Sequence, residues 1–219
     1  MIVSPGKESA TMKFLRRFHY NAPVTLTFCL VCLAALGLTQ LSVDIRNLFF
    51  CTYRAKLTDP LMYVRLFGHS IGHSGWQHYI NNMLYILMLG PMIEEKYGSK
   101  MMLEMMGITA VITGIIFNLV SPNSSLLGAS GIVFMFIILS SISNAEKGRI
   151  PITFILVCLL FLGQEVLNAF RQDNISQLTH IVGGACGAFF GLFLTATGGV
   201  KKDDTTSGDT TSYQSSDPY

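Results

Sequence analysis

Ser130 lies between glycines in the sequence Gly128-Ala-Ser130-Gly131, at the start of a long apolar run. A serine hydroxyl is a weak nucleophile until a neighbouring base accepts its proton, and it can then attack a carbonyl carbon in acyl transfer. Serine beside glycine is also common in membrane helices, because small residues let helices pack closely. The motif alone therefore leaves catalysis and packing open, and other elements must decide between them.

Three further polar side chains are predicted at the same depth as Ser130. His78 and Asn82 are four residues apart, which places them on one helix face. His180 lies about one turn inside another apolar run. Histidine titrates near neutrality and is the usual base for serine, while side-chain donors can bind an oxyanion. Because polar groups buried in membrane are costly, their shared depth predicts a functional site.

Glycines follow His180 at four-residue spacing, at Gly183, Gly187 and Gly191. This bare stripe predicts that the helix of His180 packs backbone to backbone against the helix of Ser130, near Gly131. A glycine zipper with an incidental histidine is the alternative interpretation.

Composition places the chain among membrane proteins. Of its 219 residues, 50% are hydrophobic and 13% charged, and its mean hydropathy is positive. The net charge of +2 does not indicate a nucleic-acid partner. Cys29 and Cys32 have CxxC spacing but no histidine or acidic partners nearby, so they are interpreted as small core residues. No metal or cofactor is predicted.

The predicted fold class is an all-α integral membrane bundle of six helices. Spanning segments need about 20 apolar residues, and the length of the first run favours an uncleaved helix over a signal peptide. The predicted spans are 23–43, 78–97, 101–120, 128–143, 151–169 and 178–197. Residues 1–22 form a basic N-terminal segment, and the polar tail 199–219 is predicted to be disordered.

Basic residues set the predicted orientation. With the N-terminus inside, ten lysines and arginines fall on the inner side and five on the outer side, which predicts that both termini are cytoplasmic. The site then lies toward the outer face, beside a long aromatic loop, residues 44–77, that is predicted to be functional and partly interfacial. Short loops favour a prokaryotic inner membrane.

Several motifs together resemble those of the rhomboid intramembrane serine proteases. They are the run from Arg65 to Asn82 with its histidines, the GxSG at Gly128–Gly131, the HxxGxxxG at His180–Gly187, and the Glu94…Gly98 ending of the second span. The resemblance covers about residues 23–198 and implies a core of six helices in matching order.

The resemblance implies a role for each matching position. Ser130 is similar to the nucleophile and His180 to the general base of a dyad that has no acid, while His78, Asn82 and the Ser130 amide match the oxyanion hole. Structural or packing roles are implied or expected for Gly128, Gly131, Gly183, Gly187, Arg65, Glu94, Gly98, His69, His73 and Phe134. His69 and His73 are expected to tie the loop to the bundle.

The sequence departs from the family pattern at three positions. Val64 replaces the tryptophan of a Trp-Arg pair, Phe134 replaces a tyrosine that supports the histidine ring, and Thr179 replaces an alanine. Glu165, flanked by Gln164 and Asn168, is an alternative third member of a triad.

The predicted function is therefore hydrolysis of peptide bonds in or near the transmembrane segments of membrane proteins, within the lipid bilayer. A catalytically silent rhomboid-like protein that binds membrane proteins is one alternative, but such proteins usually lose the serine or histidine. A small transporter is another alternative, but its site would favour broken helices and internal repeats near the bilayer centre.

Overall fold

The computed structural model describes residues 20–142, 151–169 and 174–197, and these are mostly helical. The elements are α1 (Pro23–Leu41), α2 (Val43–Phe49), β1 (Thr52–Tyr53), α3 (Pro60–Gly68), α4 (Trp76–Tyr97), α5 (Ser99–Val120), β2 (Ser125–Leu126), α6 (Ser130–Ile142), α7 (Ile152–Ala169) and α8 (Asn174–Thr197). Residues 1–19 of the predicted N-terminal segment and the predicted tail 199–219 lie outside the described residues.

Within these ranges, three helices are long and apolar enough to cross a membrane: α1, α5 and the Gln177–Thr197 part of α8. A helix of about 20 apolar residues matches the thickness of the hydrocarbon layer. Their outer faces carry large apolar side chains, and Leu30, Leu103 and Phe189 are each about 60% exposed. Such a surface is costly in water and suits lipid.

A single carboxylate joins the start of α1 to the turn between α4 and α5. Glu94 accepts hydrogen bonds from the backbone amides of Val24 (2.8 Å) and Thr25 (2.9 Å) and from the hydroxyl of Ser99 (2.8 Å). The first amides of a helix have no intrahelical partner and favour negative charge. Gly98 makes the turn possible with a φ of 83°. Glu94 thus ties three helices together.

The chain between α1 and α4 is structured and anchored to the bundle. Its strand β1 pairs antiparallel with β2, with Thr52 opposite Leu126 and Tyr53 opposite Ser125. The amide of buried Asn118, near the end of α5, donates to the hydroxyl of Thr52 over 3.0 Å. This loop therefore contacts the segment that leads directly into α6.

Helix α6 is the buried centre of the bundle, and α8 packs directly against it. Phe136 and Leu139 of α6 are fully buried. A Cβ added to Gly183 would lie 2.8 Å from the carbonyl carbon of Gly131, and one added to Gly187 would lie 3.1 Å from that of Met135. The two helices therefore meet backbone to backbone, as small residues allow.

Candidate active site

A cavity of about 700 Å³ opens between α4, α6, α7 and α8. Its lining is largely apolar, with a small number of polar side chains that converge from three helices. The lining residues are His78, Asn81, Asn82, Tyr85, Leu126, Leu127, Ser130, Val133, Phe134, Ile137, Val157, Leu160 and His180. Apolar pockets with a few convergent polar groups are typical of ligand and substrate sites. The structure thus places Ser130, His180, His78 and Asn82 around one cavity.

Ser130 is the first residue of α6, so its position follows from how that helix begins. The carbonyl of Ala129 accepts the amide of Val133 (3.0 Å), which is the first bond of the helix. The amides of the first turn consequently have no intrahelical acceptor and point toward the helix entrance. Gly128 precedes the turn with a φ of 130°, a conformation that favours glycine, and its amide donates to the carbonyl of His69 (2.8 Å).

His180 stands on α8 and packs against an aromatic ring of α6. The centroids of His180 and Phe134 are 4.2 Å apart, with the ring planes inclined by 35°. Gly183, one turn further along α8, contacts the backbone of Gly131. Because Gly131 is adjacent to Ser130, the close approach of the two helices occurs beside the serine and the histidine.

His78 and Asn82 occupy successive turns of α4. The side-chain amide of Asn82 donates through Nδ2 to the backbone carbonyl of His78 over 3.0 Å. Because this NH₂ group carries two protons, one further donor remains. The imidazole of His78 faces Gly128: a Cβ added there would lie 2.7 Å from Nε2. On the other edge of the ring, Nδ1 is 3.0 Å from the hydroxyl of Ser74.

His69 and His73 are both buried beside this site. Nε2 of His69 lies 3.0 Å from the carbonyl of Ala110 on α5, whereas Nδ1 of His73 lies 3.0 Å from the carbonyl of Ile71 in its own loop. Burial lowers the pKa of each imidazole to about 4, and at His73 the proximity of a second titratable ring, His78, lowers the pKa as well. Both rings are therefore neutral at neutral pH.

Arg65 is almost fully buried, while Val64 is exposed on α3. The guanidinium of Arg65 pairs with Asp59 and lies over the ring of Tyr53, 4.5 Å from its centroid. Its hydrogen bond lowers the pKa of the Asp59 carboxyl. An aromatic partner for the arginine is thus supplied by β1 instead of the preceding residue.

Sequence reasoning missed Asp59, Tyr53 and Ser74. Asp59 had a detectable signal, since an aspartate directly before a proline is typical of a helix start, and it caps α3 through the amide of Leu61. Ser74 also had one, since it lies four residues before His78 at the start of α4, whereas Tyr53 had none, because its contact with Arg65 depends on the tertiary fold. The side chain of Glu165, on α7, lies outside the described residues. In the part of the chain that the structure describes, no three metal-binding side chains cluster.

Comparison with known proteins identifies the family of the chain. The chain is 22% identical to the rhomboid protease GlpG of Haemophilus influenzae over 172 residues, which cover 77% of this chain and 89% of that protein. The model of the rhomboid domain matches residues 60–197, from α3 to the end of α8. All the residues that line the cavity lie within this match. The match shows that the chain is a membrane protein that belongs to the rhomboid family.

Proposed function

We propose that this protein is an intramembrane serine endopeptidase that cuts membrane proteins in or near their transmembrane segments. The observation that carries the proposal is the convergence of Ser130, His180, His78 and Asn82 on one largely apolar cavity. Such a cavity suits an apolar substrate segment, and its few polar groups are those that acyl transfer needs.

In the proposed mechanism, the Oγ of Ser130 attacks the carbonyl carbon of the scissile peptide bond while His180 takes its proton. Negative charge then develops on the carbonyl oxygen, where His78, Asn82 and the Ser130 amide act as donors. Collapse of the intermediate breaks the C–N bond, and His180 gives its proton to the leaving amine. Water, activated by His180, hydrolyses the resulting ester and restores the serine.

Helix packing supports the pairing of nucleophile and base. The glycine contact between α6 and α8 lies directly beside Ser130, and Phe134 restrains the ring of His180. An imidazole held beside a serine is the usual general base for its proton. We assign no acidic third residue to this pair. Glu165→Gln should therefore leave activity largely intact. A loss as large as that of His180→Ala would favour a triad.

We further propose that six helices cross the bilayer, namely α1, α4, α5, α6, α7 and α8. Both termini then lie on the cytoplasmic side, and the site lies toward the outer face. The basic residues support this orientation. The apolar outer surface of the described helices and the largely apolar lining of the cavity support substrates that arrive from lipid.

The test is cleavage of a single-span reporter protein in liposomes. Ser130→Ala and His180→Ala should each abolish cleavage, and a serine-reactive probe should label the wild type but not Ser130→Ala. Ser141→Ala is the matched control, because its hydroxyl bonds a carbonyl within the same helix, and it should cleave normally. Full activity of Ser130→Ala would refute the mechanism. An inactive wild type that still binds the reporter would instead indicate a silent, substrate-binding family member.

A further inference from the structure

Ser74 lies outside the proposed catalytic residues but contacts one of them. Its backbone amide lies 3.5 Å from Nδ1 of His78, and its hydroxyl lies 3.0 Å from the same nitrogen. Ser74 immediately precedes Gly75, the N-cap of α4, and Gly75 has no side chain with which to cap the helix. The side chain of His78 therefore reaches back over the first turn of α4 to Ser74.

These two contacts indicate which nitrogen of His78 carries the proton. A backbone N–H can only donate, so Nδ1 must accept, and the hydroxyl can donate to it as well. A neutral imidazole that accepts at Nδ1 carries its proton on Nε2. The edge of the ring that bears Nε2 faces Gly128, two residues before Ser130.

We infer that Ser74 is a positioning residue that holds His78 as the Nε2–H tautomer, with this proton directed toward the oxyanion of the proposed reaction. The inference rests on the proposed function for its catalytic consequence, but the tautomer itself is a property of the resting protein. An oxyanion needs a donor, and the opposite tautomer would present a lone pair to the negative charge.

The neighbouring histidine is arranged so that it does not compete for this role. The carbonyl of Ile71 can only accept, so His73 carries its proton on Nδ1. Its ring meets that of His78 edge to face, with centroids 5.2 Å apart. His73 thus makes an uncharged ring contact with His78, and Ser74 supplies the hydrogen bonds that orient the His78 ring.

Kinetics in the full-length protein test the inference. Removal of an oxyanion donor costs about 10²–10³ in kcat, and partial loss of its orientation should cost less. We expect Ser74→Ala to lower kcat about tenfold with KM unchanged, and Ser74→Thr to restore it. Ser70→Ala is the control, because the Ser70 hydroxyl donates to the carbonyl of Phe67 at the end of α3 and not to His78. It should keep the kcat of the wild type.

A double-mutant cycle separates positioning from a purely structural role. If Ser74 acts through His78, Ser74→Ala should cause no further loss in the His78→Asn background, because coupled residues are non-additive. Fully additive losses, or an unchanged kcat in Ser74→Ala, would overturn the inference.

Nitrogen NMR of ¹⁵N-histidine-labelled protein provides a readout that does not depend on activity. The chain has only five histidines, and His78→Asn identifies the signal of interest. We expect Nε2 of His78 to be protonated in the wild type, with this preference weakened in Ser74→Ala. A wild type protonated on Nδ1 would refute the role of Ser74. A wild type with the expected tautomer but no protease activity would refute the proposed function and leave the tautomer assignment intact.

Discussion

The contact between α6 and α8 predicts a severe effect of a single methyl group. In Gly183→Ala, the new Cβ would lie 2.8 Å from the carbonyl carbon and 2.9 Å from the Cα of Gly131, and closer still to the carbonyl oxygen. Backbone atoms cannot rotate away as a side chain can. The helices must therefore separate by roughly 1 Å to restore ordinary contacts, and this separation occurs beside the proposed catalytic pair.

Two opposing terms decide the stability of this variant. Alanine is a better helix former than glycine by about 1 kcal/mol, whereas overpacking a tight interface costs about 1–3 kcal/mol. We expect the second term to prevail and the Tm to fall. Activity should fall further than stability, because a displacement of about 1 Å in a catalytic arrangement can cost roughly 10²-fold in rate.

The assays are reporter cleavage in liposomes and thermal unfolding of the same samples. Gly37→Ala, on α1, is the matched control, because a Cβ there would meet nothing within 4 Å. It should unfold at the same temperature as the wild type or slightly higher and remain active. Gly187→Ala should lower the Tm while impairing cleavage less, since it lies a turn further from Ser130. If Gly183→Ala matched Gly37→Ala in both assays, the proposed role of the glycine contact would be refuted.

Three further outcomes are expected. Phe134→Ala should lower kcat about two- to tenfold, because the aromatic contact with His180 is worth roughly 0.5–1.5 kcal/mol, while Phe134→Tyr should retain activity. Glu94→Gln should lower the Tm by several degrees, because an amide cannot replace a carboxylate that accepts four hydrogen bonds. Thermal stability should also decrease as the pH falls from about 6.5 toward 4, since unfolding lets His69 and His73 take up protons that their folded pKa of about 4 resists.

For each of these predictions, a specific result would contradict it. Equal kcat for Phe134→Ala and the wild type would show that the ring does not support His180, and an unchanged Tm in Glu94→Gln would show that the carboxylate is not needed. The pH dependence should amount to at most about 1.4 kcal/mol per pH unit for each histidine. A Tm that is constant across this pH window would exclude buried neutral histidines, and His73→Gln should reduce the slope.

The long helices were the most predictable part of the fold. Apolar runs of about 20 residues demand a helix in lipid, because every backbone group must be paired internally. The residues of the proposed site could be singled out for a related reason. Polar residues such as Ser130 and His180 are costly in lipid and are therefore conspicuous in an apolar run. Whether all six helices cross the membrane stays a prediction, and so do the roles of these residues.

The loop between α1 and α4 could not be predicted in detail. Its elements are short, and contacts distant in the sequence fix them, such as Thr52 with Asn118 and Arg65 with Tyr53. Val64 in place of the family's tryptophan leaves open, from the sequence alone, how this loop is anchored. Only the three-dimensional structure reveals Tyr53 as an aromatic partner, because no periodicity or spacing relates it to Arg65.

The backbone contact between α6 and α8 also has a consequence for synthesis. Ribosomes add roughly 5–20 residues per second, so the stretch from Ser130 to His180 and the remainder of α8 takes several seconds to appear. During that interval the nascent chain carries the proposed nucleophile without its base. If the proposed mechanism holds, the nascent chain cannot cleave neighbouring membrane proteins during this interval, and the synthesis of α8 completes the proposed catalytic pair.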